Sequence, residues 1–446
     1  MQNSRLDGWW RLALAVLLTG VAAGVAGSLL TLLLHAIEHL AFGYSASDFL
    51  VGVEQVGPLR RTVAVGIGGA IAGTGWALHR RHLHKTRADD SISVTGALAR
   101  DAPTLPIVAT STDAVLQVTA VGAGGSLGRE GAPRQVGALS GALIAARLGL
   151  PHSRRRVLLA AGAGAGLAAV YNVPFGGAAF TAELLLGTAA PSALAIALAV
   201  SWIAALTSRL VLGNQVAYAL PHVPATPAGV AAAAVAALLL GALIGPLGIA
   251  FRAAMTRARM RATSGWRMPI AITVVFLALG AVATRYPQLL GNGKSLTQYD
   301  LAAGGTTLTL VVLALLKPVA TAACLRSGAI GGLLTPAFAT GATVGLLAGR
   351  LWTHVWPAGS AAAVAVAGAA AMLAVSQRAP ITAVVLAVEF THASPAVVPA
   401  IVVAVAAATT SARGCRALGV RLGRGAATGA GDDSPLLVSR PAVSRS

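Results

Sequence analysis

The chain has 446 residues, of which 56% are hydrophobic and 11% charged, against about 25% charged in an average soluble domain. No single water-soluble core could bury that much apolar sequence and still present a polar surface, and mean hydropathy is +0.75. The net charge of +19 therefore does not signal nucleic acid, and soluble enzymes, nucleic-acid binders and disordered proteins are excluded in favour of a polytopic membrane protein.

Residues 1–11, MQNSRLDGWWR, lead into Leu12–Leu34, which carries no charge. That stretch spans ~30 Å of hydrocarbon and is too long for a signal-peptide core, so a retained first helix is expected. Further apolar stretches fall at 62–78, 104–127, 190–213, 227–251, 268–284, 307–325, 332–353, 360–376 and 381–410. Residues 136–150 and 174–188 are too short or too Gly-rich to cross alone. Such pieces hold at membrane depth only when packed in protein or lining a cavity. Ala, Leu and Gly dominate and alternating strand-length patterns are missing, so the fold is all-α, a bundle of many tilted and broken helices.

Basic residues cluster in His79–Arg87, read as a loop, in Arg154–Arg156, in Arg252–Arg267 and from Arg413 onward, whereas Asn214–Thr226 has no Lys or Arg. The positive-inside rule then puts both termini in the cytoplasm and 214–226 outside, in a plasma (inner) membrane protein whose bases meet anionic lipid headgroups. This gives a first membrane repeat at 12–213, an external linker at 214–226, a second repeat of opposite orientation at 227–413, and a basic, disordered tail at 414–446. Cys324 and Cys415 supply neither a disulfide framework nor metal spacing, and no cofactor motif is present.

The repeat is also visible directly. YNVPFGGAAFTAE (Tyr171–Glu183) parallels QRAPITAVVLAVE (Gln377–Glu389), with Pro174 and Pro380 lying 206 positions apart and each nine residues before a glutamate. Upstream, residues 128–143 and 331–347 share Pro–Gly–Gly spacing at an offset of about 204. Ionisable residues deep in apolar sequence are costly and mark function. The carboxylates of this kind are Glu130, Glu183 and Glu389, and the cations Arg129, Arg134, Lys317 and Arg378. The equivalence of Glu183 and Glu389 favours scaffold roles, with Glu389 a candidate partner for a basic group.

Glu130 differs. It lies in a flexible Gly-Ser-Leu-Gly-Arg-Glu-Gly stretch that opens a helix near Pro133, where free N–H groups and the helix dipole favour an anion. Gly331–Pro336 offers a second helix start from the other repeat, and two such starts aimed at one point cradle a small anion. Glu130 is then a tethered anion or a proton carrier; the plainer alternatives are pairing with Arg129 or a helix cap. Three enzyme signatures are weaker. His35-Ala36-Ile37-Glu38-His39 has the spacing of a zinc motif but sits at the end of the first span without a third ligand. Gly124–Gly128 matches G-x-S-x-G without a base in its layer, and Gly429–Asp432 lies in the polar tail.

Taken together, GREG (128–131), RSGAIGGLLTP (326–336), YNVPFGGAAFTAE and QRAPITAVVLAVE resemble the signature segments of the CLC chloride channel and chloride–proton exchanger family. They occur in the family's order, the similarity covers roughly residues 10–415, and Lys317 fits the pattern. The resemblance implies a homodimer, each subunit with its own anion pathway. It makes Glu130 the gating and proton-transfer glutamate and Leu333 and Leu334 the pair whose backbone N–H groups bind the central anion, with Gly131 beside them. It implies no regulatory domain and no enzymatic activity.

Departures from the family pattern are specific. Where a Gly-Ser-Gly-Ile-Pro motif should precede Gly96, the chain reads Ala88-Asp89-Asp90-Ser91-Ile92-Ser93, so Asp89 takes the place of the anion-binding serine and a small shift offers Ser91. Asp90 suits an N-cap. Leu184 stands where exchangers carry the inner proton-transfer glutamate, Ala412–Gly423 has no tyrosine for the central site, and Ala132 precedes the proline. The function expected is transport of chloride or a similar small anion, gated by Glu130 and weakly or not proton-coupled. The alternatives are a fully coupled antiporter, a pathway for another small anion, or a non-conducting scaffold or sensor that kept the fold.

Overall fold

The computed structural model describes residues 2–43, 48–86, 92–100 and 103–423. The first half runs α1 (Gln2–Phe42), α2 (Phe49–Gln55), α3 (Pro58–Thr86), α4 (Val94–Leu98), α5 (Ile107–Gly122), α6 (Gly131–Arg147), α7 (His152–Tyr171), α8 (Pro174–Phe180, continued by a π-helical turn Thr181–Leu186) and α9 (Pro191–Leu212). The second half runs α10 (Pro227–Met260), α11 (Arg267–Ala283), α12 (Lys294–Leu301), α13 (Thr307–Ser327), α14 (Leu334–Val355), α15 (Ala361–Gln377), α16 (Pro380–Thr391) and α17 (Val398–Gly423). Among the described residues there is no strand, only an isolated bridge between Gly128 and Gly332. The all-α expectation holds.

Among the described residues, five helices are long and apolar enough to cross a membrane, from α1, α9, α10, α13 and α17. The shorter ones satisfy their backbones internally as helices, as membrane depth requires. Some boundaries differ from the sequence reading. His79–Thr86 continues α3 as helix instead of forming a loop. The apolar stretch 381–410 is broken between α16 and α17, because His392 adopts φ +46° at the α16 C-cap. Helix α17 runs on past Gly414 to Gly423. Asp89, Asp90 and Ser91, and the tail beyond Gly423, lie outside the described residues.

Close backbone approach explains the Gly/Ala-rich runs. A Cβ on Gly137 of α6 would strike the carbonyl of Gly162 in α7, and a Cβ on Gly162 would strike that of Gly137. The second half repeats the contact: Gly341 of α14 meets the Gly368 carbonyl of α15, and Gly368 meets Gly341. Small residues let helices approach where lipid supplies no hydrophobic drive between them. Gly162→Val should therefore cost about 3 kcal/mol, the upper end for an overpacked core. The check is thermal unfolding of the purified variant in detergent. An unchanged midpoint would show that these helices can part without loss.

The halves also cap each other. The Glu183 carboxylate accepts the backbone N–H groups of Ile381 (3.1 Å) and Thr382 (2.7 Å) and the Thr382 hydroxyl (2.6 Å). Glu389 accepts the N–H groups of Phe175 (3.0 Å) and Gly176. Each glutamate thus satisfies orphan donors at the first turn of the helix equivalent to its own, in the other half. Scaffold roles follow for both, and Glu389 binds backbone amides in place of the basic group expected. The Asn172 and Arg378 pair, 206 positions apart, adopts the left-handed conformation (φ +58° and +57°) to end α7 and α15. The following Pro174 and Pro380 then start α8 and α16.

Candidate functional site

The loops before α6 and α14 meet through the Gly128–Gly332 bridge: each N–H donates to the other's carbonyl at 2.8 Å. Those residues are 204 positions apart, the offset read from the Pro–Gly–Gly spacing. The bridge brings the starts of two equivalent helices together inside the protein, which is the arrangement the repeat predicted.

Glu130 is the N-cap residue of α6, yet its side chain makes no capping bond to its own helix. It crosses to the other repeat. One carboxylate oxygen, Oε1, accepts the Leu334 N–H at 2.7 Å; Oε2 accepts the Thr335 hydroxyl at 3.2 Å and the Tyr171 hydroxyl at 3.4 Å. The glutamate is fully buried. Glycine is needed on both flanks, because a Cβ on Gly128 or Gly332 would overlap the carboxylate. The first N–H groups of α14 have no intrahelical acceptor and carry the positive end of the dipole, so a carboxylate there fills the place an anion would take.

Arg129 does not pair with Glu130. Its guanidinium donates to the Val170 carbonyl (3.1 Å) and lies 4.9 Å over the Tyr171 ring, holding that ring beside the carboxylate. Asn292 donates to the Tyr171 hydroxyl at 3.4 Å from the other side. Lys317 is fully buried and donates to the carbonyls of Leu289 (3.1 Å) and Gly291 (2.9 Å), where it braces the turn leading to α12.

Two cavities adjoin the docked carboxylate. One, of about 50 Å³, is lined by Leu333 and Leu334 at the start of α14, by Phe180 and Leu184, and by Arg134 and Arg259. The other, of about 410 Å³, shares Arg134, Phe180 and Arg259 and extends past Gly131, Asp113 and Gln117 to Arg80 and Ser93. Of the residues named for the anion site, Leu333 and Leu334 line the smaller cavity and Gly131 the larger, while Ser91 falls outside the described residues. Ser93 instead caps α4, accepting the Gly96 N–H at 3.3 Å. Leu184 sits in the π-helical turn. It faces the smaller cavity while neighbouring Glu183 reaches α16.

Several contributors escaped the sequence reading. Thr335 and Tyr171 stand inside the quoted motifs but are not ionisable at neutral pH, so a search for deep charges passed over them. Asp113 is a buried carboxylate held by Trp76 (2.9 Å), Gln117 (2.8 Å) and Gln135 (3.0 Å); its polar neighbours Thr110, Ser111 and Thr112 hid its depth. Arg259 was absorbed into a run read as orientation charge. Among the described residues no group of three or more metal-ligating side chains forms, the Ser126 hydroxyl lies 3.4 Å from that of Thr321, and Gly429–Asp432 lies outside the described residues.

Comparison with known proteins gives the same reading. A Ralstonia nicotianae protein whose name marks it as ClcB-like is 31% identical over 287 residues, covering 63% of this chain and 66% of that one. The voltage-gated ClC-type chloride channel ClcB of Salmonella dublin is 26% identical over 356 residues, covering 78% and 82%. The crystal structure of a slow cyanobacterial Cl⁻/H⁺ antiporter shares the fold with a TM-score of 0.78 and 21% identity, over 92% of this chain and 98% of that one. The sequence model of the voltage gated chloride channel family matches residues 68–412. With that match and the paired helix starts, the chain belongs to the voltage-gated chloride channel (CLC) family, a family of membrane transport proteins.

Proposed function

We propose that the protein moves chloride, or a similar small anion, across the inner membrane, with Glu130 as the tethered anion that closes the pathway. The observation that supports this most is the Glu130 carboxylate on the Leu334 N–H at 2.7 Å, where it competes with a free anion for the same donors. Leu333, Leu334 and Gly131 then contribute backbone to the anion's path, and Arg134 and Arg259 supply positive charge on its basic side. Coupling to protons is weak, because Leu184 in the cavity wall cannot titrate. Repeats at 12–213 and 227–413, with both termini on the basic, cytoplasmic face, complete the reading.

The working unit is a homodimer. Exposed apolar side chains on α9 and α16, among them Leu206, Leu210 and Ile381, suit either lipid or a second copy, and cross-linking in native membranes distinguishes them. The direct test of transport is efflux from liposomes holding purified protein, run for chloride, bromide, nitrate and fluoride. Efflux of at least one anion well above protein-free liposomes is expected. Absence of flux for all of them would favour the scaffold reading.

A further inference from the structure

The cavities beside Glu130 are lined by two cations that share one nearby carboxylate charge, that of Glu130, which is itself docked on the Leu334 N–H. Arg134 on α6 donates through Nε to the Glu130 carbonyl at 3.0 Å and packs 5.3 Å over the Phe180 ring. That leaves both terminal nitrogens of its fork for the cavity. Arg259, near the end of α10, donates through Nη2 to the Gly331 carbonyl at 3.1 Å, leaving Nε and Nη1. Both side chains line both cavities. Asp113, the carboxylate in the larger cavity wall, is occupied by the donors of Trp76, Gln117 and Gln135. Arg80 adds a third cation to that wall.

Guanidinium groups drawn this far into a membrane protein are retained when something anionic answers them. The backbone anchors matter as much as the charge. One guanidinium is tied to the loop before α6 and the other to the loop before α14, so their free edges are fixed relative to Leu333 and Leu334. The terminal edge of Arg134 presents two parallel N–H groups, which match two oxygens of a planar oxyanion and not a single sphere, while the remaining Nε and Nη1 of Arg259 lie on different edges and donate singly. The smaller cavity, about 50 Å³, exceeds the roughly 10–15 Å³ that admits one water molecule on the same measure, so one small ion fits.

We infer that Arg134 and Arg259 form an oxyanion site on the basic side of Glu130, holding a small planar anion of the nitrate, bicarbonate or carboxylate class in preference to chloride. The inference rests on the proposed anion pathway and names what that pathway selects. An anion held there lies next to Leu333 and Leu334, ready to follow when the Glu130 carboxylate leaves the Leu334 N–H.

The test is equilibrium binding to the purified full-length protein in detergent, by calorimetry at constant ionic strength, with nitrate, bicarbonate, formate and chloride. At least one of the three oxyanions should bind about ten-fold more tightly than chloride, the scale set by one added charge-assisted hydrogen bond. Arg134→Lys and Arg259→Lys keep the charge and lose the planar set of donors. Each should remove most of that preference, read as the ratio of oxyanion to chloride affinity within the same variant. Chloride binding equal to all three oxyanions in the unaltered protein would overturn the inference, as would an undiminished preference in both lysine variants. The unaltered protein alone decides the first point, so a variant that fails to fold does not protect the idea. Liposome flux on the same preparation separates the two readings. Oxyanion preference without flux leaves the site and removes transport, whereas chloride flux without preference does the reverse.

Discussion

Glu130→Gln should raise anion flux in liposomes about ten-fold or more and flatten its dependence on pH. The carboxylate is held by the Leu334 N–H and by the hydroxyls of Thr335 and Tyr171, and a hydrogen bond to a charged group contributes about 1.5–3 kcal/mol. Glutamine keeps the shape and an acceptor but loses the charge that the helix dipole favours. At 1.4 kcal/mol for each factor of ten, the docked state loses at least one decade of occupancy to free anion. Glutamine has no charge for a proton to remove, so the variant should stay at the high level throughout. Efflux measured from pH 4.5 to pH 7.5 checks both points. An unchanged rate with an unchanged pH response would leave Glu130 as a cap for α14 and nothing more.

A chloride gradient should drive little or no uphill proton movement. A proton bound for Glu130 from the basic side must cross the layer of Leu184, Phe180 and Leu386 that walls the smaller cavity, and an unassisted charge in such surroundings costs several kcal/mol. Asp113 is a carboxylate on the approach, but the donors of Trp76, Gln117 and Gln135 already occupy its oxygens. Glu183 is engaged with α16 through Ile381 and Thr382. Proton movement in sealed, chloride-loaded liposomes should therefore stay below about a tenth of the chloride moved, a decade being the effect of only 1.4 kcal/mol. Robust pumping would refute this and point to a water file through the larger cavity; Leu184→Glu would then add little.

Different parts of the molecule were legible to different degrees. The repeat was readable because Gly and Pro are demanded by backbone geometry, and geometry recurs when a bundle is duplicated. The 204-position offset places Gly128 against Gly332, and the 206-position offset governs the caps of Glu183 and Glu389. Glu130 stood out because a carboxylate is costly in apolar sequence. Of what it touches, Leu334 was named only through the family resemblance and Thr335 not at all, since both are ordinary residues made special by position. Arg259 shows the opposite failure. Orientation rules treat every cation near a helix end alike, and only the fold separates one that turns inward from one that meets lipid headgroups.

The two bonds between Gly128 and Gly332 carry a consequence for how the pathway opens on the proposed reading. They join the loops that carry Glu130 and Leu334 at the backbone, leaving the carboxylate attached to that clasp only by rotatable side-chain bonds. Release therefore requires a rotamer change in one residue, of a kind that takes picoseconds to nanoseconds when unhindered, and no parting of helices. Open and closed forms would superimpose at every Cα while conduction differed by a decade or more. The slow step is then the exchange of a charge for an ion at a fixed helix end, so opening should follow the concentration of anion waiting beside the gate more closely than the stiffness of the scaffold around it.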